Sequence, residues 1–268
     1  MTTISGANIS YSRSMKRGVH KTTHIAGYDA DHVSVRGKDL VTELMGRVTF
    51  SEMIFLHLTG ALPSRRQATL LDAVLVTIME HGLMPAAVAS RLTLYGAPES
   101  FQGAIAAGLL GVGDRFAGTA SECARLLEPL AQAPEGKRAA LARAVVRSYR
   151  GSERPIPGFG HLVHRRRDPR VGRLLEIVKS AGSQGNYARA LAALETEVHK
   201  QLRARLVTNV SAAIAVALGE AGIPAPAVRG IVLTARCAGL TGHLLEEMDQ
   251  PIAATMHAAI SKVIRYER

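Results

Sequence analysis

Pro157-Gly158-Phe159-Gly160-His161, followed closely by Arg165-Arg166-Arg167-Asp168-Pro169-Arg170, punctuates the middle of this 268-residue chain. Two glycines flank an aromatic residue, so the backbone there can approach a ligand closely. A histidine follows at once, held by that loop. After the basic run, Asp168-Pro169 reads as a helix start, with Asp as N-cap and Pro at the first helical position. A helix N-terminus carries partial positive charge, so loop, arginines and helix end together suit a ligand with several carboxylates or phosphates. Arg170 lies in the first turn, where its charge opposes the helix dipole. A ligand or an acidic neighbour is needed to compensate it. The same string also reads as a plain helix-to-helix loop with surface arginines.

On either side the pattern is helical. Ser51 is expected to cap one helix that Gly60 stops. Ser64 with Gln67 forms a capping box for a helix running to about Glu80. That helix is apolar on nearly every face (Leu70, Leu71, Val74, Leu75, Val76, Ile78), so it belongs in a large core or an interface. Segments 85–95 and 98–112 follow, the second rich in Ala and Gly and suited to close helix packing. Thr119 with Glu122 predicts another capping box. Further helices are expected at 137–149, from Asp168, and at about 186–202, 209–221, 226–240 and 251–263. Residues 1–35 read as an extended polar arm and Lys38–Leu44 as a short helix. No alternating run is long enough to predict a sheet. The expected fold class is therefore all-α.

The formal net charge of +11 admits nucleic acid, a membrane surface or a small polyanionic ligand as partner. The chain lacks an aromatic stacking platform and any recognised nucleic-acid motif, so no nucleic-acid partner is expected. Arg13, Lys16, Arg17 and Lys21 read as a solvated arm. No uncharged apolar run is long enough to span a bilayer, and no secretory signal is read at the N-terminus, so neither a membrane nor export is expected. The two cysteines, Cys123 and Cys237, sit without a spacing motif in apolar helical stretches. They read as free buried thiols, consistent with a reducing cytoplasm.

Several ordered motifs resemble the citrate synthase superfamily over roughly residues 33–250. Gly158-Phe159-Gly160-His161 with Asp168-Pro169-Arg170 resembles the family's Gly-aromatic-Gly-His loop and its following Asp-Pro-Arg. Asn209-Val210 resembles the start of the family's Asn-Val-Asp region. Ala235-Arg236-Cys237-Ala238-Gly239 with His243 resembles its Ala-Arg-x-x-Gly-x-x-x-His segment. Arg36-Gly37-Lys38-Asp39-Leu40, Phe50-Ser51-Glu52-Met53 and Thr59-Gly60-Ala61-Leu62-Pro63-Ser64 agree upstream. Gly113-Asp114-Arg115-Phe116-Ala117-Gly118 is similar to the Gly-Asp-Arg-Phe-Gly-Gly of the citryl-CoA lyase module in ATP-citrate lyase, which places the chain nearest the lyase branch.

The resemblance implies a large helical domain (36–118 and 209–268) with a smaller inserted one (119–208), preceded by the arm 1–35, and a homodimer or higher homo-oligomer. It implies coenzyme A as an acyl-CoA substrate, a di- or tricarboxylate ligand and no metal. His161 matches the loop histidine that meets the citrate hydroxyl. Arg170 and Arg236 match carboxylate-binding arginines, with Asn209 and Ser211 beside the substrate. Pro157, Gly158, Phe159, Gly160, Arg165, Arg166 and Arg167 are assigned to CoA. His81 and Asp114 are further catalytic candidates, although His81 also reads as a helix-ending residue. His243 is read as a buried, satisfied helix residue. Arg236 interrupts an apolar helix, so a ligand or an internal Glu must meet it, and the ligand is favoured.

The chemistry implied is a Claisen condensation or its reverse, which needs a placed base and an oxyanion donor. One departure stands out: Ser211 follows Asn209-Val210 where the family has its catalytic Asp. The expectation is a citryl-CoA lyase-like enzyme acting between acetyl-CoA and an oxo-acid such as oxaloacetate. A citrate synthase-like acyltransferase, or a non-catalytic CoA or carboxylate binder, is the alternative.

Overall fold

The structure, a computed structural model, describes residues 21–114, 118–160, 168–202 and 206–267. Arg13, Lys16 and Arg17 lie outside the described residues, as do Arg115, Phe116, Ala117, His161, Arg165, Arg166 and Arg167. The chain divides into two units, one ending at Arg47 and one beginning at Val48.

The first unit carries a small antiparallel sheet of β1 (Ala26–Tyr28), β2 (Val33–Val35) and β3 (Lys38–Asp39), in that spatial order. Sequence reading expected an arm and a short helix here. The strands are two or three residues long, too short to show alternation. The turns carry the signal instead. The Asp29 carboxylate accepts from the N–H groups of Asp31 at 2.9 Å and His32 at 2.8 Å. Arg36 and Gly37 both adopt positive φ, 50° and 76°, as a two-residue hairpin turn requires. A π-helical turn, Leu40–Leu44, capped by Asp39, ends the region.

The second unit is helical. Its elements are α1 (Phe50–Thr59), α2 (Arg65–Met79), α3 (Pro85–Gly96), α4 (Phe101–Leu110), α5 (Thr119–Gln132), α6 (Glu135–Gly151), α7 (Pro169–Ser180), α8 (Asn186–Leu202), α9 (Val210–Glu220), α10 (Val228–Asp249) and α11 (Ala253–Val263). The all-α class read from the sequence holds.

Helix α9 is the centre. Its small apolar sequence is buried on every face, from Ala212 to Leu218 without a break, and α2, α5, α7 and α8 pack around it. A helix apolar all round is stable only in such a position. Cys123 of α5 lies against this core, and burial pushes its thiol up to about 12, which makes it inert. Helix α10 packs on α2, α3 and α4.

Three of the boundaries that differ from expectation bear on the packing. Thr49, not Ser51, caps α1, closing a box with Glu52. Thr119 is the first residue of α5 rather than its cap, because its hydroxyl pairs with Ser211 instead. Helix α10 continues nine residues past the expected stop at Leu240, to Asp249. Within it, Gly239 is a contact point: a Cβ there would overlap the Met79 carbonyl at the end of α2. Gly239→Ala is accordingly expected to destabilise the protein by about 1–3 kcal/mol, the usual cost of overpacking against rigid backbone. Urea denaturation checks this, and an unchanged midpoint would refute the close approach.

Candidate active site

A cavity of about 620 Å³ opens in the second unit, a size typical of small-molecule sites. The first turns of α3, α5, α7 and α9 all reach its wall, through Pro85, Thr119, Arg170 and Ser211 respectively. Each helix N-terminus contributes partial positive charge. The end of α2 and the middle of α10 complete the wall with Glu80, His81, Arg236 and His243. Apolar side chains such as Ile78, Met84, Val112 and Leu240 form much of the rest.

Arg170 is positioned by Asp168. The Asp168 carboxylate accepts from Arg170 Nε at 3.0 Å and Nη2 at 2.9 Å, a bidentate pair. It also accepts from the backbone N–H of Arg170 at 3.1 Å and of Val210 at 3.2 Å. One buried carboxylate thus caps α7, ties down the start of α9 and holds the arginine. The compensation that the sequence demanded for Arg170 comes from this acidic neighbour.

The glycine loop is stitched to the segment before α9. Gly160 N–H donates to the Val207 carbonyl at 2.7 Å and Asn209 N–H to the Gly158 carbonyl at 2.9 Å. Asn209 Nδ2 donates to the Gly160 carbonyl at 2.9 Å, while its Oδ1 caps α9 at Ser211 N–H. Gly158 has φ of 89°, and a Cβ there would sit 2.8 Å from Cys123 Sγ. Its lack of a side chain serves packing against α5 and α9. Phe159 and Gly160 reach the cavity wall, whereas Pro157 and Gly158 are buried and are not part of it. Asp114 is exposed, pairs with Arg229 at 2.7 Å and is likewise not on the wall.

Arg236 is half-buried and makes no hydrogen bond or ion pair among the described residues. Burial pushes its guanidinium below its ordinary value; the Glu80 carboxylate opposes this and the like charge of Arg170 adds to it. The two arginines and Glu80 therefore sense one another across the cavity. Ser211 Oγ lies 2.9 Å from Thr119 Oγ1, forming a neutral hydroxyl pair on the wall.

Of the sequence-predicted residues, the wall unites His81, Arg170, Asn209, Ser211, Arg236, Phe159 and Gly160. Sequence reading missed Glu80 and Arg91. Glu80 accepts from the N–H of His81 at 2.7 Å and of Gly82 at 2.8 Å. Arg91, 1% exposed, reaches His243, Glu246 and Glu247. Its signal was available, since it is the sole charge in α3, the same irregularity that drew attention to Arg236 in α10. His243 is satisfied, as read, yet it also faces the cavity.

Among the described residues no cluster of His, Cys, Asp or Glu is placed to hold a metal ion, and no helix is long and apolar enough to cross a membrane.

This arrangement agrees with comparison to known proteins. The family model described as citrate synthase, C-terminal domain, matches residues 8–265. A Mycobacterium tuberculosis protein named "Putative citrate synthase 2" is 31% identical over 192 residues, covering 69% of this chain and 49% of that protein. The chain thus spans about half the length of these curated relatives. Citryl-CoA lyase from Hydrogenobacter thermophilus superposes with a TM-score of 0.82 at 27% identity, covering 92% of this chain and 94% of that one. ATP citrate lyase from Methanothrix soehngenii, solved in complex with citrate and coenzyme A, shares the fold with a TM-score of 0.75 at 19% identity, over 95% of this chain and 42% of that one. The helical fold, the cavity with its two arginines, and a family match across nearly the whole length together establish that the chain belongs to the citrate synthase family.

Proposed function

We propose that the chain is a citryl-CoA lyase-like enzyme that cleaves, or forms, the C–C bond between acetyl-CoA and an oxo-acid such as oxaloacetate. The observation that carries this reading is the convergence of Arg170, Arg236 and four helix N-termini on one cavity. Such a wall recognises a compact ligand with two or three carboxylates. The apolar part of the wall suits the acyl and pantetheine portion of a CoA thioester. The Hydrogenobacter lyase and the citrate- and CoA-bound ATP citrate lyase lend the same chemistry.

In cleavage, the tertiary hydroxyl of citryl-CoA gives up its proton as the C–C bond breaks. The bond electrons pass to the thioester as an enolate, the hydroxyl-bearing carbon becomes the carbonyl of oxaloacetate, and protonation of the enolate yields acetyl-CoA. Arg170 and Arg236 hold the carboxylates. His161 is assigned to the hydroxyl by the family pattern, and Arg165–Arg167 with Phe159 and Gly160 to CoA. Segment 119–208 is assigned as the smaller domain, whose closure would exclude water from the reaction. Val76 of α2 and Leu110 of α4, 77% and 86% exposed, support a homodimer that covers these helices. The cytoplasm is the proposed compartment.

A second reading, a non-catalytic CoA and carboxylate binder, is favoured by Ser211. A hydroxyl paired with Thr119 and, among the described residues, with no other side chain is not a base near neutral pH. Incubating the purified protein with citryl-CoA separates the two, with acetyl-CoA and oxaloacetate as the expected products. Ser211→Asp is expected to raise turnover by about 10²-fold, within the range of a positioned acid–base group. Turnover confined to that variant would make the native chain a binder. No turnover and no citrate binding in either protein would sink both readings.

A further inference from the structure

Behind the cavity wall lies a chain of polar side chains that the chemistry above does not use. Arg91 of α3 donates from Nη1 to Glu247 Oε2 at 2.8 Å and also pairs with Glu246. It donates from Nη2 and Nε to His243 Nδ1 at 2.9 and 3.2 Å. Glu247 is anchored in turn, its Oε1 accepting from the N–H groups of Ile252 at 3.0 Å and Ala253 at 2.8 Å, at the start of α11. On the other side, His243 Nε2 lies 3.1 Å from Glu80 Oε1.

The chemistry of a guanidinium decides the protonation pattern. Arginine only donates, and it does not lose its proton in a protein. His243 Nδ1 must therefore accept, so it carries no hydrogen. The neutral ring then bears its hydrogen on Nε2, which donates to Glu80. Burial would raise the Glu80 carboxyl, but the His81 N–H, His243 and the Gly82 N–H together hold it below its ordinary value of 4.5. Its negative charge supports that of Arg236. The groups facing His243 are Arg91 from α3, Glu80 at the end of α2, and Glu246 and Glu247 on α10 itself. Helix α4, also packed on α10, has no titratable residue.

We propose that Arg91 is a positioning residue for the cavity: it locks His243 as a neutral Nε2–H donor, which holds Glu80 as the fixed carboxylate that steadies Arg236 for a ligand. This rests on the carboxylate-binding reading of the site.

Long-range proton–nitrogen spectra of the isotope-labelled protein test the first link. His243, assigned by its loss in His243→Asn, is expected to show an unprotonated Nδ1 and a protonated Nε2. A doubly protonated ring, or a proton on Nδ1, overturns the proposal. Calorimetry with citrate tests the second link. Arg91→Met is expected to weaken binding about tenfold at pH 7, the loss produced by one unmade buried hydrogen bond. Arg91→Lys should recover most of it. An Arg91→Met protein with native affinity overturns the proposal. If that variant does not fold, the ring spectrum of the native protein decides. Native protein with the expected spectrum but no citrate binding overturns the carboxylate reading alone. Citrate binding with a different ring spectrum overturns the Arg91 assignment alone.

Discussion

Asp168→Ala is expected to lower folding stability by about 3 kcal/mol and to weaken citrate binding in the same protein. The side chain is 1% exposed and serves four donors: two guanidinium nitrogens of Arg170 and the backbone N–H groups of Arg170 and Val210. Its removal uncaps α7, releases the start of α9 and deprives Arg170 of its bidentate partner. Breaking a buried ion pair costs about 3–5 kcal/mol and a lost cap about 1. Arg170 keeps 21% exposure, so water compensates part of the loss and the lower end applies. Asp168→Asn keeps the shape and a competent cap, so it should fall between. Urea denaturation gives the stability term and calorimetry with citrate the binding term. A change in stability under about 0.5 kcal/mol, the scatter of ordinary surface substitutions, would mean that Asp168 does not organise the site.

Arg236→Gln should separate binding from stability. Citrate affinity is expected to fall about 100-fold, roughly 3 kcal/mol, the scale on which removing one partner of a desolvated charge pair acts. Folding stability should stay level or rise. Among the described residues Arg236 makes no hydrogen bond, and burial already works against its charge. Replacing it relieves desolvation and removes like-charge repulsion with Arg170. A residue whose loss improves the fold and ruins binding is one held in place for a ligand. Affinity within threefold of native, or a stability loss as large as that of Asp168→Ala, would show instead that Arg236 is structural.

Much of the fold could be read along the chain because its helices announce themselves locally. Ser64 with Gln67 and Asp168 with Pro169 mark helix starts whose physics involves only neighbouring residues, and both caps form as expected. The misreadings share one cause. Thr119 has the local chemistry of a cap but spends its hydroxyl on Ser211, 92 residues away. Gly239, next to the expected stop of α10 at Leu240, sits at a contact with Met79 on another helix. The strands at 26–39 are too short for periodicity, and their turns were the only cue. At the site, Arg170 and Arg236 could be found because a cation in an unfavourable setting is conspicuous in one dimension. Glu80 could not, since a lone Glu at a helix end is ordinary until His243 and Arg236 are beside it.

Residue order alone determined the helical class, the capped starts of α2 and α7, and a demand that Arg170 and Arg236 be compensated. Each of these follows from interactions within a few residues. Tertiary structure decided how each is met: Asp168, tied to the start of α9, holds Arg170 at the cavity wall, while Arg236 is left without a hydrogen-bonding partner among the described residues, facing the cavity. It alone also joined Arg91, His243 and Glu80, which stand up to 163 positions apart. Charges and hydrogen bonds act over a few ångströms whatever the separation along the chain, so only packing α2, α3 and α10 together could bring those three side chains into one network.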